Sequence, residues 1–147
     1  MIQVPDVFLD TSALFAGIWS EAGGARMLLK LGEARAVRLS VSPQVLKEIE
    51  GVLRRKSPRS LGTLALLLDR SRITVVHADR EEQLSLCKSL VDYTADAIVL
   101  AAAWTAGVDY FVTLDRKDFL NNQPLQDAAP FPVGTPGGCL GWYRRRF

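Results

Sequence analysis

Four acids in this chain stand where a carboxylate could do chemistry: Asp10, Glu48, Asp96 and Asp115. Asp10 ends the apolar run Val7-Phe8-Leu9 and is followed by Thr11 and Ser12. Asp115 ends Tyr110-Phe111-Val112-Thr113-Leu114. Short apolar runs of this kind read as strands buried on both faces, as in a parallel sheet covered by helices. Parallel strands point their carboxyl ends to one edge, where ligands of open α/β sheets bind. The two acids face one cleft if their strands are neighbours where the strand order reverses. Either alone would serve equally well as a helix N-cap.

Glu48 falls in a helix opened by Ser42 as cap and Pro43 at the first position. Val45 before it and Val52 after it put Glu48 on or beside the apolar stripe, with Lys47, Glu50 and Arg54 on the other face. A carboxylate there is costly unless paired or metal-bound; the alternative is a place at the solvated margin. Asp96 follows Thr94, the expected cap of the apolar helix Ala95–Trp104. The helix dipole alone favours an acid in that first turn. Yet a helix so apolar must be buried, which brings its start to the sheet edge. Asp92 and Asp118 lie close by and rank second.

Four converging carboxylates with no Lys or Arg in their motifs repel one another, and a hard divalent cation is the simplest neutraliser. Oxygen-only ligation suits Mg²⁺ or Mn²⁺. Such an ion acidifies water into a nucleophile and stabilises charge on a phosphate. Thr11, Ser12 and Thr113 could orient the acids by hydrogen bonds. Zinc is disfavoured without His or Cys at the motifs, and no Walker-type phosphate loop is present. A receiver domain would want a second acid beside Asp10 and a Lys at a late strand end. Ser12 occupies the place of the second acid in an Asp-x-Asp phosphatase.

The elements that position these acids alternate. Helices are expected at Ala13–Ser20, Ala25–Ala34, Pro43 to about Arg55, Leu61–Asp69, Asp79–Leu90 and Ala95–Trp104, with Gly107 as the C-terminal stop. Strands are expected at Val7–Asp10, Val37–Val41, Ile73–Val76 and Tyr110–Leu114. Beyond Asn121 the chain is rich in Pro and Gly, and only an edge strand at Phe131–Val133 and a short helix at Leu140–Tyr143 are read there. Alternating strands and helices with right-handed crossovers make a three-layer α/β/α sandwich, here one domain over residues 1–147.

A composition of 48% hydrophobic and 23% charged residues is that of a globular protein, and a net charge of +2 is too small for a general attraction to nucleic acid. The basic residues are unevenly spread, however. Arg54, Arg55, Lys56 and Arg59 cluster, Arg116 and Lys117 follow Asp115, and Arg144-Arg145-Arg146 form a tail. Such runs are commonly solvated surface, but each could meet phosphate. No apolar run approaches the roughly 18 residues of a membrane span. Cys87 and Cys139 have no metal-type spacing, His77 is the single histidine, and reduced thiols in the cytoplasm are the expectation. Leu61, Leu64, Leu66, Leu67 and Leu68 cover most of one helix, as core packing or as a homodimer or partner surface. Trp19 and Trp104 read as core.

Asp10-Thr11-Ser12, helical Glu48, Asp96 opening an alanine-rich helix and Val112-Thr113-Leu114-Asp115 together resemble the PIN-domain ribonucleases, including the VapC-like toxins of bacteria and archaea. The resemblance covers about residues 5 to 120. It implies a sheet of strand order 3-2-1-4-5 and an acidic pocket holding one or two Mg²⁺ or Mn²⁺ ions. It implies cleavage of single-stranded RNA, with Asp10, Asp96 and Asp115 on the metal and Glu48 a further ligand, directly or through water. Ser12 matches the small polar position that supports the first Asp. An antitoxin partner and a homodimer are further expectations, and the stretch from Asn121 departs from the family pattern. The rival is a non-catalytic RNA- or protein-binding module on the same scaffold.

Overall fold

Val7, Phe8 and Leu9 are sealed from solvent and form β1 (Asp6–Leu9), the central strand of a parallel sheet. In the computed structural model, residues 3–78 and 80–147 are described. After β1 come α1 (Thr11–Trp19), α2 (Gly24–Glu33), β2 (Arg38–Val41), α3 (Pro43–Lys56) and α4 (Ser60–Arg70). Then follow β3 (Thr74–Val75), α5 (Glu81–Leu90), α6 (Thr94–Ala106) and β4 (Tyr110–Val112). A π-helical turn (Arg116–Leu120), α7 (Gln123–Ala128), β5 (Val133–Gly134) and α8 (Pro136–Arg146) complete the chain. The strands pair in parallel in the order β3-β2-β1-β4-β5, with helices flanking the sheet in an α/β/α sandwich. That is the order implied by the resemblance.

The reversal lies between β1 and β4, where Leu9 stands opposite Val112. One residue further on, Asp10 and Thr113 therefore meet at the carboxyl rim. Beneath the rim Phe8 and Phe111 stack with centroids 5.4 Å apart, and Phe111 also touches Phe119 and Phe131. Phe119 belongs to the π turn, so its burial anchors that turn to the core just below the rim.

Helix α3 starts as its residues require: the Ser42 side chain accepts from the Val45 amide and Pro43 takes the first turn. Val45, Ile49 and Leu53 are fully buried at a spacing of four, which fixes how the helix is rotated on the sheet. Helix α6 ends at Gly107, whose φ of +68° is the left-handed turn that glycine tolerates.

Several expectations need correction. Thr94 is the first residue of α6, not its cap, and no side chain caps that end. Strand β4 stops at Val112, because the chain turns at Thr113 to bond its neighbours there. The expected start of α5 at Asp79 lies outside the described residues. Helix α7 was not expected; Asn122 caps it by accepting from the Leu125 amide. Strand β5 is Val133–Gly134, and α8 is much longer than Leu140–Tyr143. Glycines disfavour a helix, but α8 holds because Thr135 caps it and Trp142 packs on Tyr110 at 5.2 Å. At Gly138 a Cβ would meet the Tyr110 hydroxyl at 3.0 Å, so that glycine lets the helix approach the sheet.

Of the leucines in α4, Leu61, Leu64, Leu67 and Leu68 pack on the core and only Leu66 is exposed, which leaves little of the expected dimer surface. Trp104 packs on Phe131, whereas Trp19 is 58% exposed and not a core residue. The basic tail is the last turn of α8. Arg146 lies near Asp6, at the opposite end of β1 from Asp10. Among the described residues no helix is long and apolar enough to cross a membrane.

Candidate active site

At the carboxyl rim a cleft of about 730 Å³ opens, lined by Asp10, Glu48, Asp96 and Asp115 from four separate segments. Asp10 is only 5% exposed and its two carboxylate oxygens are held by three donors. Oδ1 accepts from the Ser12 hydroxyl at 2.7 Å and the Ala13 amide at 2.9 Å. Oδ2 accepts from the Thr113 hydroxyl at 2.5 Å. Asp10 is thus the N-cap of α1 and a wall of the cleft together, so the two readings of it are compatible. Burial pushes its carboxyl up to about 6, even though the Thr113, Ser12 and Ala13 donors pull it down.

The hydroxyls bind the rim into one frame. Ser12 also accepts from the Leu114 amide, and Thr113 accepts from the Asp115 amide, each at 3.0 Å. The ends of β1 and β4 are thereby tied across 102 residues of chain. Thr11 donates to Glu48 Oε1 at 2.6 Å, fixing the α3 acid against the first turn of α1. Asp115 in turn caps the π turn by accepting from the Asp118 amide. That turn swings Asp118 round to the acids, as an extra residue in a helical turn commonly does at functional sites.

Asp96, Asp115 and Asp118 each offer a carboxylate oxygen within 4.8 Å of the others. Asp118 therefore belongs in the cluster, above the second rank its sequence position suggested. Asp92 is exposed and does not line the cleft. Asp96 is pushed up to about 7, first by burial, then by a hydrogen bond with Asp118 and by the negative charges of Asp118, Asp115 and Glu48. Among the described residues no Lys or Arg pairs with any of these acids. Oxygen-only donors carrying excess negative charge fit a hard divalent ion.

The basic residues divide. Arg55 and Lys56 line the cleft, whereas Arg54 turns to Glu50, and Arg59, Arg116 and Lys117 are exposed and do not line it. Arg144 to Arg146 do not reach it either. Lys47 does line the cleft, contrary to its expected place on the far face of α3. Gln44, Lys47, Glu48, Gly51, Val52 and Arg55 form a second helical stripe beside Val45, Ile49 and Leu53. Their spacing of three and four carried that signal. Phe15 also lines the cleft and had no chemical signature.

The family model described as the PIN domain matches residues 6–117. The fold is similar to that of VapBC2 from Rickettsia felis, solved bound to a promoter DNA fragment, with a TM-score of 0.66 at 16% identity over 88% of this chain and 98% of that one. DNA-bound VapBC from Salmonella typhimurium gives 0.64 at 16% identity over 90% and 99%. Mycobacterium tuberculosis VapC20, a sarcin-ricin loop cleaving toxin, gives 0.54 at 17% identity over 76% and 91%. No curated protein matches by sequence.

Proposed function

This chain belongs to the PIN-domain family, and on that premise we propose that it is a metal-dependent endoribonuclease acting on single-stranded or looped RNA. The observation that carries the reading is the meeting of Asp10, Glu48, Asp96, Asp115 and Asp118 at one rim, with Asp96 raised by burial and then by its acidic neighbours. Asp96, Asp115 and Asp118 would hold Mg²⁺ or Mn²⁺, with Asp10 and Glu48 completing the acid wall. A bound divalent ion supplies Lewis-acid chemistry, acidifying water and offsetting charge on the phosphodiester. The donors on Asp10 hold its carboxylate in one orientation, so little reorganisation is needed when charge develops. Thr11 does the same for Glu48. Lys47, Arg55 and Lys56 line the cleft, where they would meet the phosphates and bring the RNA backbone to the acids. The VapBC relatives support a toxin role with an antitoxin as protein partner.

Purified protein is expected to cut unstructured RNA in Mn²⁺, to stop on adding EDTA and to resume with excess Mn²⁺. Tight RNA binding with no cleavage in any divalent ion would instead make the chain a binding module. Lys56→Ala is expected to weaken RNA binding similarly for all sequences and to flatten the dependence of log K on log salt by about one. An unchanged slope in a titration from low to moderate salt would remove Lys56 from the RNA path.

A further inference from the structure

We propose that Trp19 and Phe15 form a stacking platform that takes one unpaired base of the RNA beside the acid cleft. The proposal rests on the ribonuclease reading in taking RNA as the polymer. Trp19 is 58% exposed, although the same helix buries Ala13, Leu14, Gly17 and Ile18. Its indole lies flat on the Phe15 ring, with centroids 5.5 Å apart and planes 14° from parallel. Phe15 in turn lines the cleft, and the Lys56 ammonium sits 5.9 Å from its centroid. The cleft therefore carries cations and a flat aromatic surface side by side.

A nucleotide has the two matching features, a phosphate and a planar ring. Base stacking on an aromatic side chain needs no particular sequence, since every base has a π face. It does need an unpaired base, because duplex bases are already stacked. The cations Arg55 and Lys56, which line the cleft together with Phe15, complement a polyanion better than the apolar face of a protein helix. Trp19 and Phe15 are four residues apart on α1, so the platform is held by a helix rather than a loop.

The test measures binding of a fluorescein-labelled, non-self-complementary oligoribonucleotide in EDTA, so that no cleavage intervenes. Trp19→Ala is expected to weaken binding about tenfold, as for loss of one stacked base, and Trp19→Phe to retain most of it. RNA binding quenches indole fluorescence in the parent, and this quenching is lost in Trp19→Ala. One abasic nucleotide at the platform position weakens binding to the parent but adds nothing in Trp19→Ala. Equal binding by parent and Trp19→Ala overturns the platform, as does equal affinity for duplex and single strand. Unchanged RNA binding with loss of the complex formed with a co-expressed antitoxin overturns it too, and makes the patch a protein-docking surface. Cleavage in Mn²⁺ with no dependence on Trp19 sinks the platform and leaves the ribonuclease. Trp19-dependent RNA binding without cleavage in Mn²⁺ does the reverse.

Discussion

Asp10→Asn and Asp96→Asn each lower Mn²⁺-dependent RNA cleavage by roughly a thousandfold, the scale of losing preorganised charge stabilisation at a reacting phosphate, while the protein stays folded. Asn caps a helix about as well as Asp, so α1 keeps its first turn in Asp10→Asn. The substitution also removes a buried negative charge held at about 6, which disfavours the native state at neutral pH. Without divalent ion at pH 7.5, the variant therefore melts no earlier than the parent. The same holds for Asp96→Asn, which relieves repulsion from Asp118, Asp115 and Glu48. Single-turnover cleavage, calorimetric Mn²⁺ titration and thermal melting check the three parts. A purely structural acid would behave oppositely: Tm falls and activity tracks the folded fraction. Asp92→Asn is the control; exposed and outside the cleft, it leaves cleavage within about twofold.

Without a divalent ion, the protein loses stability as pH rises from about 4 to 7, and Mn²⁺ cancels the loss. Asp10 and Asp96 stand at about 6 and about 7 in the folded chain, against 3.8 for the free side chain. Below about 4 both states hold these protons. Between 4 and 7 the folded state holds more than the unfolded one, so each rise in pH favours unfolding. Asp10 is charged in both states above about 7 and Asp96 above about 8, where the effect is complete. For the nearly sealed Asp10 the loss is about 3 kcal/mol, using 1.36 kcal/mol per pKa unit. In a chain of this size that is roughly 6–12 °C in Tm. Other carboxylates of the chain also contribute to the total pH dependence. The readout is therefore the difference in Tm between parent and Asp10→Asn across pH in EDTA. That difference grows from pH 4 to 7 and shrinks when Mn²⁺ stabilises the parent. A flat difference, or Mn²⁺ stabilisation equal at pH 5 and pH 7.5, would show that these acids are not under electrostatic load.

Much of the scaffold was legible without coordinates, because burial leaves a periodic mark on each element separately. Val7-Phe8-Leu9 and Tyr110-Phe111-Val112 read as covered strands, Ser42-Pro43 as the opening of a helix and Gly107 as the close of one. The four acids stood at the ends or flanks of those elements, so their order along the chain pointed to one rim. Other features were decided by neighbours distant in sequence. Lys47 and Glu48 are adjacent and both polar; only the seating of Val45, Ile49 and Leu53 on the sheet sends both to the cleft. Asp118 joins the acids because the π turn, pinned by buried Phe119, rotates it inward, and no local pattern announces such a turn. Trp19 read as core, and Phe15 carried no mark of its own, until α1 was set against α3, with Phe15 lining the cleft and Trp19 left in solvent. Local periodicity tells an element which side to bury, but what stands opposite its remaining sides depends on packing between segments as far apart as Asp10 and Thr113.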